Sequence, residues 1–358
     1  MRGLNIGFTW PLVLRAHKNA MRLCMTLGIV MFILGCTHTH TRSRPNRAVQ
    51  QTPTIRTEAI VTPTTYRTEP WKFMDIDGVQ LISEHYRIYT TINNQEVRQR
   101  FPAFMESALR QYRTTFGPLD NVPKKLIMYI MEDRRQWKNL SRQLLPEHAT
   151  LLEMVQRGGF TTNGIAILFF IDWNSLSKDT MTIAAHEGWH QYMQATFACP
   201  LPAWLDEGIA TYLESHRTTM GIQQFDPAVN NARLDMLKAS MASGQVIPLR
   251  QLMNESPEAF LKSGQKGVLL YYAQTWTLIH YLMQHPIYRT GLQQILLDAQ
   301  SGVLTDHLKH RLSSMTLTTP LPRNTTLGHA IVQEYLDPAF DQFEAGYWRF
   351  TRQQANQE

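Results

Sequence analysis

Two short segments that must both be helical restrict what this 358-residue chain can fold into. The first contains His186-Glu187-Gly188-Trp189-His190, in which two histidines stand four residues apart. Residues i and i+4 lie one turn apart on the same face of an α-helix, so both imidazoles reach a single ion. The H-E-x-x-H spacing is typical of zinc sites in which a glutamate lies beside the two histidines. The pattern therefore predicts a metal-binding helix.

The second segment follows within thirty residues and reads PAWLDEGIATYLE from Pro202 to Glu214, with a proline suited to a first helical position. It matches a W-L-x-E-G-x-A-x-Y-x-E pattern. Together with the histidine pair it resembles the gluzincin-type zinc metallopeptidases of the peptidase MA-like group, among them the aminopeptidase N family. The likeness is also to uncharacterised exported bacterial lipoproteins with this domain, and it covers most of residues 80–300.

The resemblance implies roles for four residues. Glu207 is the implied third Zn²⁺ ligand, which leaves one coordination position for water, as in catalytic sites. Glu187 flanks the histidines rather than completing the ligand set, so it is the expected catalytic general base. Glu214 is the implied partner of a zinc histidine, with Thr211 as the alternative. The contrary interpretation is that Glu207 and Glu214 are solvated acids and that the histidines pack in the core.

Other residues near the motif have two interpretations. Tyr272 matches the tyrosine of a Tyr-Ala-Gln pattern in the resembling proteins, which implies a catalytic role as a hydrogen-bond donor to the oxyanion. A packing aromatic is the alternative. His280 is predicted to lie in the core. Three tryptophans are predicted to pack around the site; these are Trp189, Trp204 and Trp276.

The expected activity is zinc-dependent peptide-bond hydrolysis. The apolar strand Gly164–Asp172 is predicted to form the edge of the cleft, where related enzymes pair an extended peptide or protein substrate. The chain has no Gly-Ala-Met-Glu-Asn motif for a substrate's free amine, which favours endopeptidase over aminopeptidase action. A non-catalytic binding or scaffold lipoprotein and a cell-wall amidase are the alternatives.

The fold class predicted is α+β, a zincin-like arrangement with a small mixed sheet whose edge strand lies over the zinc helices. Strand patterns precede helix patterns along the chain, which argues against a doubly wound parallel sheet. Residues 71–215 are expected to form the α+β lobe with the zinc site, and residues 216–358 a mostly helical lobe.

The N-terminal region indicates export. Residues 23–35 are uncharged and follow basic residues, which is typical of a signal peptide, here residues 1–35. The Ile-Leu-Gly-Cys end resembles a lipobox, so Cys36 is the expected lipidation site and membrane attachment point at the periplasmic or cell surface. Met21 is an alternative start, and a plain signal or an uncleaved anchor are the alternatives to lipidation. Residues 36–70, rich in Thr, Pro and Arg, are predicted to be a flexible tether.

Charge distribution excludes one class of partner. Residues 1–70 carry a net charge of +7 and the remaining 288 residues a net charge of −1. A nucleic-acid-binding domain needs a basic surface on its folded part. The basic excess belongs to the leader and the tether, so no nucleic-acid partner is expected.

Overall fold

The computed structural model describes residues 59–146, 158–171, 178–219, 222–318 and 327–356. The predicted signal peptide, Cys36 and most of the predicted tether lie outside the described residues. Among the helices of these ranges, none combines the length and the apolar character that a membrane span requires.

A six-stranded mixed sheet forms the first half of the fold. Its strands are, in chain order, β2 (Arg67–Phe73), β3 (Ile76–Ile82), β4 (Tyr86–Thr90), β5 (Leu126–Met131), β6 (Gly159–Thr162) and β7 (Ile165–Phe169). The spatial order is β2-β3-β4-β5-β7-β6, with β4, β5 and β7 parallel and the other pairs antiparallel. The α+β prediction is thereby confirmed.

Helices cover the sheet on both faces. The first four helices along the chain are α1 (Gln95–Thr114), α2 (Arg134–Leu144), α3 (Lys178–Thr196) and α4 (Ala203–Leu213). In β7, Ala166 and Leu168 belong to the main core with α1 and α3, whereas Ile167 and Phe169 belong to a second core with α2. Burial on both faces explains why β7 is a continuous apolar run instead of an alternating one.

The position of β7 differs from the sequence prediction for Gly164–Asp172. β7 pairs with β5 on one side and β6 on the other, so it is an interior strand. The strand at the end of the sheet beside α3 is β6. The sequence did not reveal β6 because it is four residues long and contains one glycine and two threonines among its GFTT residues.

A second, three-stranded sheet crosses the predicted domain boundaries. It consists of β1 (Ala59–Ile60), β8 (His216–Thr219) and β9 (Ile222–Phe225), in the order β1-β9-β8. Strand β1 and the start of β2 therefore lie within the segment predicted as a tether. Strand β1 is ordered by backbone pairing with β9, which is more than 150 residues away in the sequence. The composition around β1 gives no indication of such a partner.

The rest of the chain is mostly helical, as predicted. It comprises α5 (Asn231–Ser243), α6 (Leu249–Leu252), a 3₁₀ turn (Pro257–Ser263), α7 (Gly264–Gln284), α8 (Pro286–Ser301), α9 (Leu304–Thr318), α10 (Leu327–Ile331), a π turn (Val332–Leu336) and α11 (Phe340–Ala355). Helix α7 packs against α4, and Gly208 makes this approach close. A Cβ there would lie 2.9 Å from Ile279 Cγ1 and 3.1 Å from the Thr275 carbonyl oxygen.

Candidate metal centre

Helices α3 and α4 bring the three predicted ligands together in the core. His186 and His190 are one turn apart on α3, and Glu207 reaches them from the first half of α4. Glu207 Oε2 lies 3.3 Å from His186 Nε2 and 3.6 Å from His190 Nε2. One ligand atom from each residue lies within 4.8 Å of the others, and all three side chains are buried.

This geometry fits a metal ion. Ligand bonds of about 2.0–2.2 Å at tetrahedral angles put neighbouring ligand atoms about 3.3–3.6 Å apart. Neither histidine Nε2 nor either oxygen of Glu207 has a hydrogen-bond partner in the described part of the chain. Buried polar atoms without partners are costly, and a coordinated cation satisfies all of them at once.

Carboxylates orient both imidazoles. His186 Nδ1 lies 2.8 Å from Glu214 Oε2, and His190 Nδ1 lies 2.9 Å from Asp206 Oδ1. An ionised carboxylate only accepts hydrogen bonds, so each Nδ1 carries a proton, and the Nε2 atom of each ring is the one that faces the metal position. A histidine whose second nitrogen donates to a carboxylate is the usual arrangement around protein-bound metals.

Asp206 was not identified from the sequence. Its Oδ1 atom also accepts a hydrogen bond of 2.8 Å from Trp189 Nε1, so the tryptophan predicted as packing also fixes this carboxylate. The signal was present in the sequence, because Asp206 directly precedes Glu207 on a helix with few other polar residues. Thr211, the alternative to Glu214, instead donates to the Glu207 backbone carbonyl at 2.7 Å.

Negative charge dominates the site. Glu187, Asp206, Glu207 and Glu214 are each at most 1% exposed. Arg233, at 4% exposure, is the only buried lysine or arginine in the part of the chain that the structure describes. Four buried carboxylates beside one guanidinium need further positive charge nearby. A divalent cation where the ligand atoms converge supplies it.

The same charges control protonation. Burial would lower the pKa of His186, but contacts with the Glu207 and Glu214 carboxylates raise it to about 9. Burial would raise the pKa of Glu207, but His190 and His186 lower it to about 2. Glu207 is therefore ionised, and the position between the imidazoles favours positive charge. A bound metal takes the place of the protons that the histidines would otherwise hold.

Glu187 lies beside the ligand cluster and is not part of it. Its Oε2 atom is 2.9 Å from Thr161 Oγ1 on β6, and its Oε1 atom has no hydrogen-bond partner among the described residues. Burial raises the pKa of Glu187 to about 6, although His190 and His186 lower it. One carboxylate oxygen is thus anchored and the other is available to accept a proton.

Tyr272 on α7 packs against His186. Its ring is perpendicular to the imidazole, with 6.0 Å between the ring centroids. Burial and the Glu207 carboxylate raise its pKa well above 10, so the phenol keeps its proton. His280, further along α7, is 5% exposed and lies in the core as predicted, against Tyr212, Trp276 and Phe350.

Comparison with known proteins gives one match. Residues 179–296 match the model of a family described as "Protein of unknown function (DUF1570)". The match covers about a third of the chain and includes nearly all of α3, together with α4 and α7. No curated protein and no solved structure matches significantly. The candidate metal site therefore lies within the matched segment.

Proposed function

We propose that this protein is a zinc-dependent hydrolase of peptide bonds, acting as an endopeptidase at the cell envelope, where lipidated Cys36 attaches it to the membrane. The observation that carries the proposal is the buried His186, His190 and Glu207 cluster with an unpartnered Glu187 oxygen beside it. Three protein ligands leave a coordination position for a reactant, which distinguishes catalytic from structural zinc sites.

Zinc held by His186, His190 and Glu207 would acidify a water molecule and polarise a carbonyl group. The chain's own residues complete the chemistry. Glu187 Oε1 accepts the proton of the attacking water and later delivers it to the leaving amine. Burial raises the pKa of Glu187, which strengthens this carboxylate as a proton acceptor. Thr161 holds Oε2, so the carboxylate keeps its orientation.

Strand β6 supports a peptide as the substrate class. It ends the six-stranded sheet and contacts α3 through the Thr161 and Glu187 pair. An extended peptide that adds to β6 by backbone hydrogen bonds would run past Glu187. Tyr272, which keeps its proton and lies near His186, is the proposed donor to the oxygen that becomes negative during attack.

The test pairs metal analysis with a peptide-library digest of purified protein. His190→Ala should lose zinc, because a ligand is removed. Glu187→Gln should retain zinc and lose turnover by about 10²–10⁴-fold or more, because the amide is not a base. Glu84→Gln, at a glutamate that is 79% exposed, is the matched control and should change neither property.

Wild-type protein purified without any bound metal would refute the proposal. Zinc-loaded protein that cleaves no peptide in the library but cleaves cell-wall amides would identify an amidase. Zinc-loaded protein that cleaves neither would identify a binding protein with a zinc fold.

A further inference from the structure

We infer that Arg233 is a positioning residue of the metal centre and that it acts through Glu214 to orient the ligand His186. Arg233 lies on α5, outside the two helices that contain the motif. The inference rests on the proposed metal site, because it concerns how strongly and in which geometry that site binds its ion.

The two carboxylate oxygens of Glu214 face different hydrogen-bond donors. Its Oε2 atom faces His186 Nδ1 at 2.8 Å. Its Oε1 atom accepts from Arg233 Nε at 3.2 Å, from Arg233 Nη2 at 3.0 Å and from Asn230 Nδ2 at 3.1 Å. Donors on both oxygens fix the carboxylate plane, so rotation of Glu214 would break contacts with α5.

Asn230 connects this contact to the start of α5. It is the N-cap residue, and its Oδ1 atom accepts from the Arg233 backbone N–H at 3.3 Å. The same side chain donates from Nδ2 to Glu214. Capping therefore places the first turn of α5, and with it Arg233, at a fixed distance from the carboxylate.

Burial makes the guanidinium necessary. Glu214 is 1% exposed and Arg233 is 4% exposed, so water does not compensate the charge of either side chain. Without Arg233, the Glu214 Oε1 atom would keep only the Asn230 donor, and the buried carboxylate would shift towards other donors. Such a shift removes the acceptor from His186 Nδ1 and loosens the imidazole.

A second contact helps to fix the position of the Arg233 guanidinium. The guanidinium carbon lies 5.3 Å from the centroid of the Tyr272 ring, within cation–π range. Tyr272 in turn packs perpendicular to His186. The ring contact holds the guanidinium in place beside Glu214, and the Glu214 hydrogen bond orients the imidazole.

The experiment measures zinc affinity by chelator competition and the absorption spectrum of the Co²⁺-loaded full chain. We compare wild type, Arg233→Gln, Arg233→Lys, Glu214→Gln and the double variant with both glutamines. Arg233→Gln should weaken zinc binding by about 10–100-fold, the usual effect of removing an outer partner, and should shift the Co²⁺ spectrum. Arg233→Lys keeps the charge without the two-nitrogen contact, so it should recover part of the affinity.

The double variant tests whether Arg233 acts on His186 through Glu214. If Arg233 acts through Glu214, the two substitutions together should weaken binding no more than Glu214→Gln does alone. Arg217→Gln is the matched control, since Arg217 contacts Asp226 and is 46% exposed. It should leave affinity and spectrum unchanged.

Additive losses in the double variant, or wild-type affinity and spectrum in Arg233→Gln, would overturn the inference while leaving the metal site intact. If Arg233→Gln does not fold, Arg233→Lys decides, and a Co²⁺ spectrum and zinc affinity identical to wild type would overturn it. Wild-type protein that binds no zinc would instead refute the proposed function and this inference with it.

Discussion

His280 makes the stability of this fold sensitive to acid. Burial lowers the pKa of His280 to about 4, and its Nδ1 atom has no hydrogen-bond partner in the described part of the chain. In the unfolded chain the group titrates near its ordinary value of about 6.5. The unfolded state therefore binds more protons than the folded state between these values. Above about pH 6.5, His280 does not change the free energy of unfolding. As the pH drops from there, protonation of His280 in the unfolded state lowers this free energy, and the decrease is complete below about pH 4.

The magnitude follows from the difference in pKa. A shift of about 2.5 units corresponds to about 3 kcal/mol at full protonation, of which about 2 kcal/mol is lost between pH 7 and pH 5. His280→Gln and His280→Leu remove the titrating group. Between pH 7 and pH 5, the free energy of unfolding of each variant should therefore fall by about 2 kcal/mol less than that of wild type.

The assay is urea unfolding of metal-free protein at pH 7 and pH 5, so that metal release does not contribute. The comparison between variant and wild type cancels the groups that titrate in both proteins. His310→Gln, at an exposed histidine on α9, is the matched control and should follow wild type. Equal pH dependence in wild type and His280→Leu would refute the assignment of this acid sensitivity to His280.

Three further predictions concern the site and its attachment. Asp206→Ala should weaken zinc binding by about 10–100-fold in chelator competition, because His190 loses its Nδ1 acceptor; unchanged affinity would contradict the role of Asp206. Gly159→Ala should destabilise the protein by about 1–3 kcal/mol in thermal unfolding, since a Cβ would lie 2.9 Å from the Ile167 carbonyl oxygen and 3.3 Å from Glu187 Cγ. A melting temperature equal to wild type would show that β6 can move away. Cys36→Ala should leave an uncleaved precursor without a lipid label by mass spectrometry, and a mature N-terminus elsewhere in wild type would exclude lipidation at Cys36.

Local pattern was enough to predict two of the elements around the site. Helical spacing predicted α3, and an apolar run predicted the strand β7, because each of these segments carries its own pattern. The second helix of the motif was found through its resemblance to known metallopeptidases. Helices α3 and α4 hold the three predicted ligands, so the sequence was sufficient to predict the candidate site.

Short strands escaped prediction for a physical reason. β1, β6, β8 and β9 have two to four residues each, and their backbone hydrogen bonds are satisfied by segments distant in sequence or across a tight turn. A strand of that length shows no period of its own. For the same reason, the sequence predicted β7 as the edge strand, whereas β6 ends the sheet.

The sequence by itself determined which side chains can bind a metal, because helical geometry fixes the spacing of His186 and His190 wherever the helix packs. Only the tertiary structure decided which groups surround them. Asp206 stands beside Glu207 in the sequence, but the packing of α4 and α5 decides that Asp206 faces His190 and that Arg233 faces Glu214. Such contacts depend on helix orientation and burial, which no local spacing encodes. The identity of the ligands is thus a property of sequence, and their charge environment is a property of the fold.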